Sequence, residues 1–180
     1  MKIINLKELN ESQLAQAAQM LTDELPLGWP DFADAMDEIN NRLNEPGAFF
    51  IAAVCGDEVL GWCGILETGY SSLFELHPLV VRSASQRKGI GTMLVDAISA
   101  AARERGALTL WLGADDERPG GETSLANVDL YDDLPGRLQN FNPGTHQAAF
   151  YMKLGFKVVG VMPDANGIGK PDIYFAKRLG

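Results

Sequence analysis

Apolar and polar positions along this chain fall into short blocks with two different periods. The opening Ile3-Ile4-Asn5-Leu6 run alternates as a first strand would. Residues 11–25 then carry Leu14, Ala17, Ala18, Leu21 and Leu25 at helical spacing, with Ser12 ahead of them as the N-cap candidate. The stretch Leu25-Pro26-Leu27-Gly28-Trp29-Pro30-Asp31 breaks that helix, and Phe32, Met36, Ile39 and Leu43 restore the pattern. A turn at Asn44-Glu45-Pro46-Gly47 leads into two apolar strands folded about Gly56-Asp57, a hairpin. A third apolar run covers 71–81, an amphipathic helix covers 89–105 up to Gly106, and 107–113 reads as another strand. Residues 115–145 are rich in Asp, Gly, Pro and Asn and read as a long loop with room for a short helix. A helix over 146–156, ended by Gly155, and strands at 157–163 and 172–179 close the chain. Helices alternate with strands, some joined as hairpins. The expected class is therefore α/β (α+β), a mixed sheet covered by helices.

Composition narrows this only a little. The 180 residues predict one domain, 1–180, and a chain of that size buries about 70% of the surface its unfolded form exposes. No apolar run approaches the length of a membrane helix, and the N-terminus turns polar too soon for a signal peptide. A cytoplasmic protein with no membrane partner is expected. Cys55 and Cys63 are too few for a disulfide framework, and with only His77 and His146 beside them no metal site is expected. Both cysteines lie in apolar strand-like stretches and read as buried structural thiols rather than nucleophiles. The net charge of −9 argues against nucleic acid. It suits a cationic substrate, although acidity for solubility alone explains it equally well.

The most informative segment is Gln86-Arg87-Lys88-Gly89-Ile90-Gly91, between the strand of Leu79, Val80 and Val81 and the helix. That helix sets Ile90, Met93, Leu94, Ala97, Ile98 and Ala101 on one stripe. A helix start offers unpaired N–H groups to phosphates, and glycines let the backbone approach a ligand closely. No Gly-Lys-Ser/Thr follows, so this is not a Walker loop, and the acidic residue of a dinucleotide fingerprint is missing. Taken alone, the glycine pair also fits a plain tight turn.

The Q-x-x-G-x-G turn, together with Phe150-Tyr151-Met152-Lys153-Leu154-Gly155-Phe156 downstream, resembles the GNAT (GCN5-related N-acetyltransferase) superfamily. The resemblance implies a GNAT acyl-CoA N-acyltransferase fold. In that fold a mixed, mostly antiparallel sheet flanked by helices has a splayed central strand pair, filled by the pantetheine arm of acetyl-CoA. Pro78 inside the strand fits such a splay, and fits a plain edge strand as well. By resemblance, the co-substrate contacts fall to Leu79, Val80, Val81, Gln86, Arg87, Lys88, Gly89, Ile90, Gly91, Thr92 and Tyr151.

Further motifs narrow the likeness. Trp29-Pro30, F-E-L-H-P-L-V-V at 74–81, L-G-A-D-D at 112–116, T-S-L-A-N-V-D-L-Y at 123–131 and V-G-V-M-P-D-A-N-G with K-P-D-I at 159–173 resemble aminoglycoside 6′-N-acetyltransferases, in the chromosomal type of Gram-positive cocci. The loop 115–145 departs most from that pattern. The likeness implies transfer of the acetyl group to the 6′-amino group of an aminoglycoside by direct attack in a ternary complex, antibiotic resistance, and a homodimer. Glu75 is then the candidate base for the acceptor amine, with burial raising its pKa; on residues alone it reads equally as a strand-end surface carboxylate. His77, on the same face if pairing is regular, would carry protons or orient the substrate, or else serve as a hydrogen-bonded core histidine. The Leu79 N–H would polarise the thioester, and Tyr151 would protonate the departing thiolate. On the acceptor side stand Trp29, Glu75, Asp115, Asp116 and Asp132, with Asp129, Asp133 and Glu122 nearby; solvated loop acids are the alternative, and for Trp29 a Trp-Pro elbow packed on the core. Asn166-Gly167 reads as a structural turn or a subunit contact. Acetylation of another cationic amine, or a CoA-binding module without chemistry, are the competing readings.

Overall fold

Every apolar run read above becomes its own strand or helix in the computed structural model, which describes residues 1–180. The chain divides into two units, Met1–Leu108 with Leu179–Gly180, and Thr109–Arg178.

The first unit contains β1 (Lys2–Asn5), α1 (Glu11–Glu24), α2 (Phe32–Asn44), β2 (Phe49–Cys55), β3 (Glu58–Glu67), β4 (Leu73–Val81) and α3 (Ile90–Glu104). Its strands pair antiparallel in the order β1-β2-β3-β4. The start of α1 differs from expectation. Asn10, not Ser12, is the N-cap: its side chain accepts from the Gln13 N–H while the Gln13 side chain accepts from the Asn10 N–H, a reciprocal capping box.

A core of Leu6, Ala17, Leu21, Ile39, Phe50, Trp62, Leu66 and Val80 lies between α1, α2 and the strands. Trp62 is wholly buried, and its indole N–H donates to the Ala17 carbonyl of α1 at 3.0 Å. About 200 Å² of largely apolar surface at ~25 cal/mol per Å² gives an upper figure of ~5 kcal/mol for that one side chain. Gly64 makes room for the neighbouring ring, since a Cβ there would come within 1.9 Å of Phe50 Cδ1. The buried face of α3 is Ile90, Leu94, Val95, Ile98, Ser99 and Ala102, so it is turned from the predicted stripe, and Met93 is exposed. Cys63 is buried with its thiol 3.7 Å from the Leu94 carbonyl, whereas Cys55, expected to be buried, is exposed where β2 runs into the hairpin turn.

The second unit holds β5 (Thr109–Asp115), α4 (Leu134–Gln139), α5 (Ala148–Lys153), β6 (Lys157–Met162) and β7 (Asp172–Arg178). The strand β7 pairs antiparallel with both β5 and β6. Phe156 and Phe175 are fully buried and pack with Tyr151. No helix of the chain is long and apolar enough to cross a membrane.

Candidate active site

The geometry of β4 is set by one extra residue. Against β3 it pairs Glu75 with Leu66 and Leu76 with Ile65, and the next pair is Leu79 with Cys63. Two residues of β3 thus span three of β4, a bulge at the cis His77–Pro78 bond. A proline costs no ladder bond where the ladder is already interrupted. Paired residues share a face, so Glu75 lies with Leu66 and Val80 with Trp62 on the side of α1 and α2. Leu79 lies with Cys63 and Ile65 on the opposite side. The pairing is therefore not regular.

His77 nevertheless reaches the side of Glu75. Its Nε2 stands 3.2 Å from Glu38 Oε1 on α2, and its ring is 6.0 Å from that of Trp29 in the α1–α2 loop. Glu75, His77 and Leu79 are half-buried. The Val80 side chain is buried in the core.

After β4 the chain enters a turn with two left-handed residues, Arg87 at φ 58° and Gly89 at φ 85°. A Cβ on Gly89 would meet nothing within 4 Å, so glycine is needed there for its conformation and not for space. No side chain caps α3, and the first-turn N–H groups at Ile90, Gly91 and Thr92 face outward from a 15-residue helix. The Ile90 side chain is itself buried, while Gln86, Arg87 and Lys88 are exposed. This start fits a pyrophosphate.

The turn is tied down from α1. Glu24 accepts from the Ser83 N–H at 2.7 Å and from the Ser83 hydroxyl, and Gln86 Nε2 donates to the Val81 carbonyl at 2.9 Å. Sequence reasoning missed both Glu24 and Glu38. Their partners lie 59 and 39 residues away, so only the local Glu38–Arg42 spacing was visible.

In the second unit the acidic residues separate by role. The acceptor-binding role expected of Asp116 does not fit its position: it is fully buried, and its two oxygens accept from the N–H groups of Glu122 at 2.9 Å and Thr123 at 2.7 Å. Its carboxylate anchors the start of the loop. Asp133 caps α4, Asp129 accepts from the Tyr131 N–H, and Glu122 is paired with Arg118. Asp132 is exposed and makes no hydrogen bond within the chain.

Asp115 is exposed at the end of β5, opposite Asp172 of β7, and takes a hydrogen bond from Asn166. Partial burial, with the charges of Asp172 and Asp115, raises the Tyr174 pKa, marking a negative field at this end of the strands. Asn166 therefore touches a candidate site residue, a link not seen in the sequence. His146 is buried with Nδ1 accepting from the Ala148 N–H, so its Nε2 carries the proton given to the Asp115 carbonyl. Tyr151 is buried among Phe150, Phe156 and Phe175. Burial pushes the Cys63 thiol far up, which leaves no thiolate for an acetyl-cysteine.

Residues 14–120 match the model of the acetyltransferase (GNAT) family. Among solved structures, an aminoglycoside 6′-N-acetyltransferase complexed with coenzyme A is 36% identical, with TM-score 0.89, over 100% of this chain and 98% of that one. The aminoglycoside 6′-N-acetyltransferase from Enterococcus faecium is 35% identical, with TM-score 0.88 and the same coverage. An aminoglycoside 6′-acetyltransferase of type Ii is 31% identical, with TM-score 0.77, again over 100% and 98%. No curated protein sequence matches the chain.

Proposed function

This chain belongs to the GNAT acetyltransferase family, and on that premise we propose that it acetylates the 6′-amino group of aminoglycosides, with antibiotic resistance as the consequence. The observation that carries the reading is likeness along the whole chain, at 36% identity, to an enzyme of that activity with coenzyme A bound. Full-length coverage likewise supports treating 1–180 as one N-acetyltransferase domain.

Acetyl-CoA supplies an acetyl thioester. The first turn of α3, with Gln86, Arg87, Lys88, Gly89, Gly91 and Thr92, would hold its pyrophosphate, and the backbone of Leu79, Val80 and Val81 its pantetheine arm. Glu75 takes a proton from the acceptor's ammonium, freeing the lone pair that attacks. The Leu79 N–H donates to the thioester oxygen as negative charge develops there. Tyr151 is proposed to protonate the departing thiolate, on the strength of the Phe150–Phe156 segment. For the polycationic acceptor, the support is the exposed Asp115 opposite Asp172 and the free carboxylate of Asp132. Trp29 adds an aromatic wall against His77. A homodimer through the C-terminal strands is supported by the exposed Val159 and Met162 of β6, and a cytoplasmic location suits a CoA-dependent enzyme.

Thiol release from acetyl-CoA, compared across a kanamycin-like aminoglycoside, spermidine and a basic peptide, tests the reading. Turnover of the aminoglycoside is expected. Robust acetylation of spermidine alone would replace the substrate, and coenzyme A binding without turnover of any amine would make the chain a binding module. Glu75→Gln should lower kcat about a hundredfold near neutral pH, since a positioned base contributes ~10²–10⁴. A wild-type rate removes Glu75 as the base.

A further inference from the structure

On α2, Glu38 sits one turn before Arg42, and by that spacing alone it is an ordinary surface ion pair. The fold gives it a second partner. Its side chain keeps only 16% of its exposure, and Oε1 meets both Arg42 Nε at 2.7 Å and His77 Nε2 at 3.2 Å. Burial alone would raise the Glu38 pKa, but the hydrogen bonds from His77 and Arg42 outweigh it and hold the carboxyl below its ordinary range. An ionised carboxylate only accepts, so the proton of this bond sits on Nε2. In the neutral imidazole Nδ1 is then a lone-pair acceptor, and no group of the chain occupies it. Trp29 restrains the ring from the α1–α2 loop. The charged groups facing the imidazole are Glu38 and, through it, Arg42 of α2, with Glu45 at the C-cap of that helix held by Arg42; Glu75 lies two residues earlier on the same strand.

We propose that Glu38 is a positioning residue for acetyl transfer, fixing His77 in the Nε2–H form so that Nδ1 accepts an N–H of the substrate's ammonium group beside Glu75. The inference rests on the reading that β4 receives the reacting amine. It adds a reason for the histidine's place: Glu75 removes one proton, and His77 holds another N–H so that the lone pair is aimed. Arg42 is held between Glu38 and Glu45, which keeps the carboxylate from swinging away. A carboxylate behind an imidazole both orients the ring and fixes its tautomer.

A double-mutant cycle on the full-length enzyme tests this, run with whichever amine the wild type acetylates. Glu38→Ala should lower kcat/KM for the amine about tenfold, with the acetyl-CoA KM unchanged. His77→Ala should do the same, and the double variant should be no worse than His77→Ala alone. Glu38→Gln, which retains an acceptor oxygen, should recover most of the loss. A wild-type rate for Glu38→Ala, or losses that multiply in the double variant, overturns the proposal.

A second readout needs no acceptor. The chain has two histidines, so imidazole 1H–15N spectra are simple to assign. The His77 Nε2–H signal should be protected in the wild type and lost in Glu38→Ala, while the His146 signal, held by Asp115, reports an intact fold. A His77 proton on Nδ1, or a signal unchanged in Glu38→Ala, overturns the proposal whichever amine is the substrate. Acetylation of spermidine but not of an aminoglycoside overturns only the substrate reading, because the cycle is then run on spermidine.

Discussion

Replacing Gly89 by alanine separates two reasons for a glycine at the start of α3. Its φ of 85° lies in the left-handed region, and a Cβ there would meet nothing within 4 Å. The cost is therefore conformational, about 1 to 2 kcal/mol for an L-residue in that region, with no added steric term. The turn has two ways to absorb it. If the backbone holds, the whole cost appears as stability, a fall in Tm of about 2 to 4 °C per kcal/mol for a chain this size. If the backbone relaxes toward negative φ, the first-turn N–H groups swing away and the cost appears in affinity for coenzyme A. The Glu24 bonds to Ser83 and the Gln86 bond to Val81 pin the turn on its N-terminal side, which favours the first outcome. Gly89→Ala should thus lose about 1 kcal/mol in urea denaturation while coenzyme A affinity, measured by titration calorimetry, falls less than about fivefold. Arg87→Gly should do the reverse, gaining stability at φ 58° and losing affinity with its charge. Unchanged stability in Gly89→Ala with a hundredfold loss of coenzyme A affinity would refute the reasoning, because a rigid turn cannot transfer the whole cost to the ligand.

Two further outcomes follow from hydrogen-bonded carboxylates. Asp116→Asn turns an amide NH2 toward the Glu122 and Thr123 N–H donors, so stability should fall by about 1 to 3 kcal/mol in denaturant titration, with proteolysis appearing in the 115–145 loop; unaltered stability would mean that the anchor is dispensable. For Glu38 the folded pKa is lowered from its ordinary value of 4.5, so its contribution is fully present above that value and is lost as pH falls through the folded pKa. The stability gap between wild type and Glu38→Gln should close as pH falls below 4.5 in urea titrations; a gap that persists unchanged on further acidification contradicts the sign.

The elements themselves were legible because each strand carries its own apolar run and most runs are bounded by Gly, Pro or Asn. What failed was finer. Asn10 and Ser12 are both capping residue types at the start of α1, and only the reciprocal partner Gln13, three residues from Asn10, distinguishes them. On α3 the small residues Ala97, Ala101 and Ala102 fit several stripes, so the periodicity left the helix free to rotate, and tertiary packing chose the face of Val95 and Ser99. Cys55 follows an unbroken apolar run, yet it is the last residue before a turn, where burial ends. The Glu38–His77 and Glu24–Ser83 contacts join residues far apart in the chain, which no local pattern encodes.

Asp116 is a different kind of miss, because strand parity could have found it. Leu110, Leu112 and Ala114 are buried on alternate positions of β5, and Asp116, continuing the ladder through its N–H to the Pro171 carbonyl, falls on the same face. Its neighbour Asp115 falls on the other face and is exposed. Two adjacent acids of identical chemistry thus receive opposite tasks from position alone. On β4 the same rule misleads, since counting by twos puts Glu75, His77 and Leu79 together. The extra residue at His77–Pro78 breaks the count. It leaves Glu75 and His77 on the side of α2, where Glu38 and Trp29 meet the histidine, and turns Leu79 to the side of Cys63. A strand without the bulge would place all three side chains on one face and crowd the Leu79 side chain against the two polar groups. With it, the polar side chains gather on one face, and Leu79 stands at the point where β4 resumes its pairing with β3. Parity therefore assigns a residue's role only after the register has been checked for an insertion, and here the proline inside the strand is the sequence mark of that insertion.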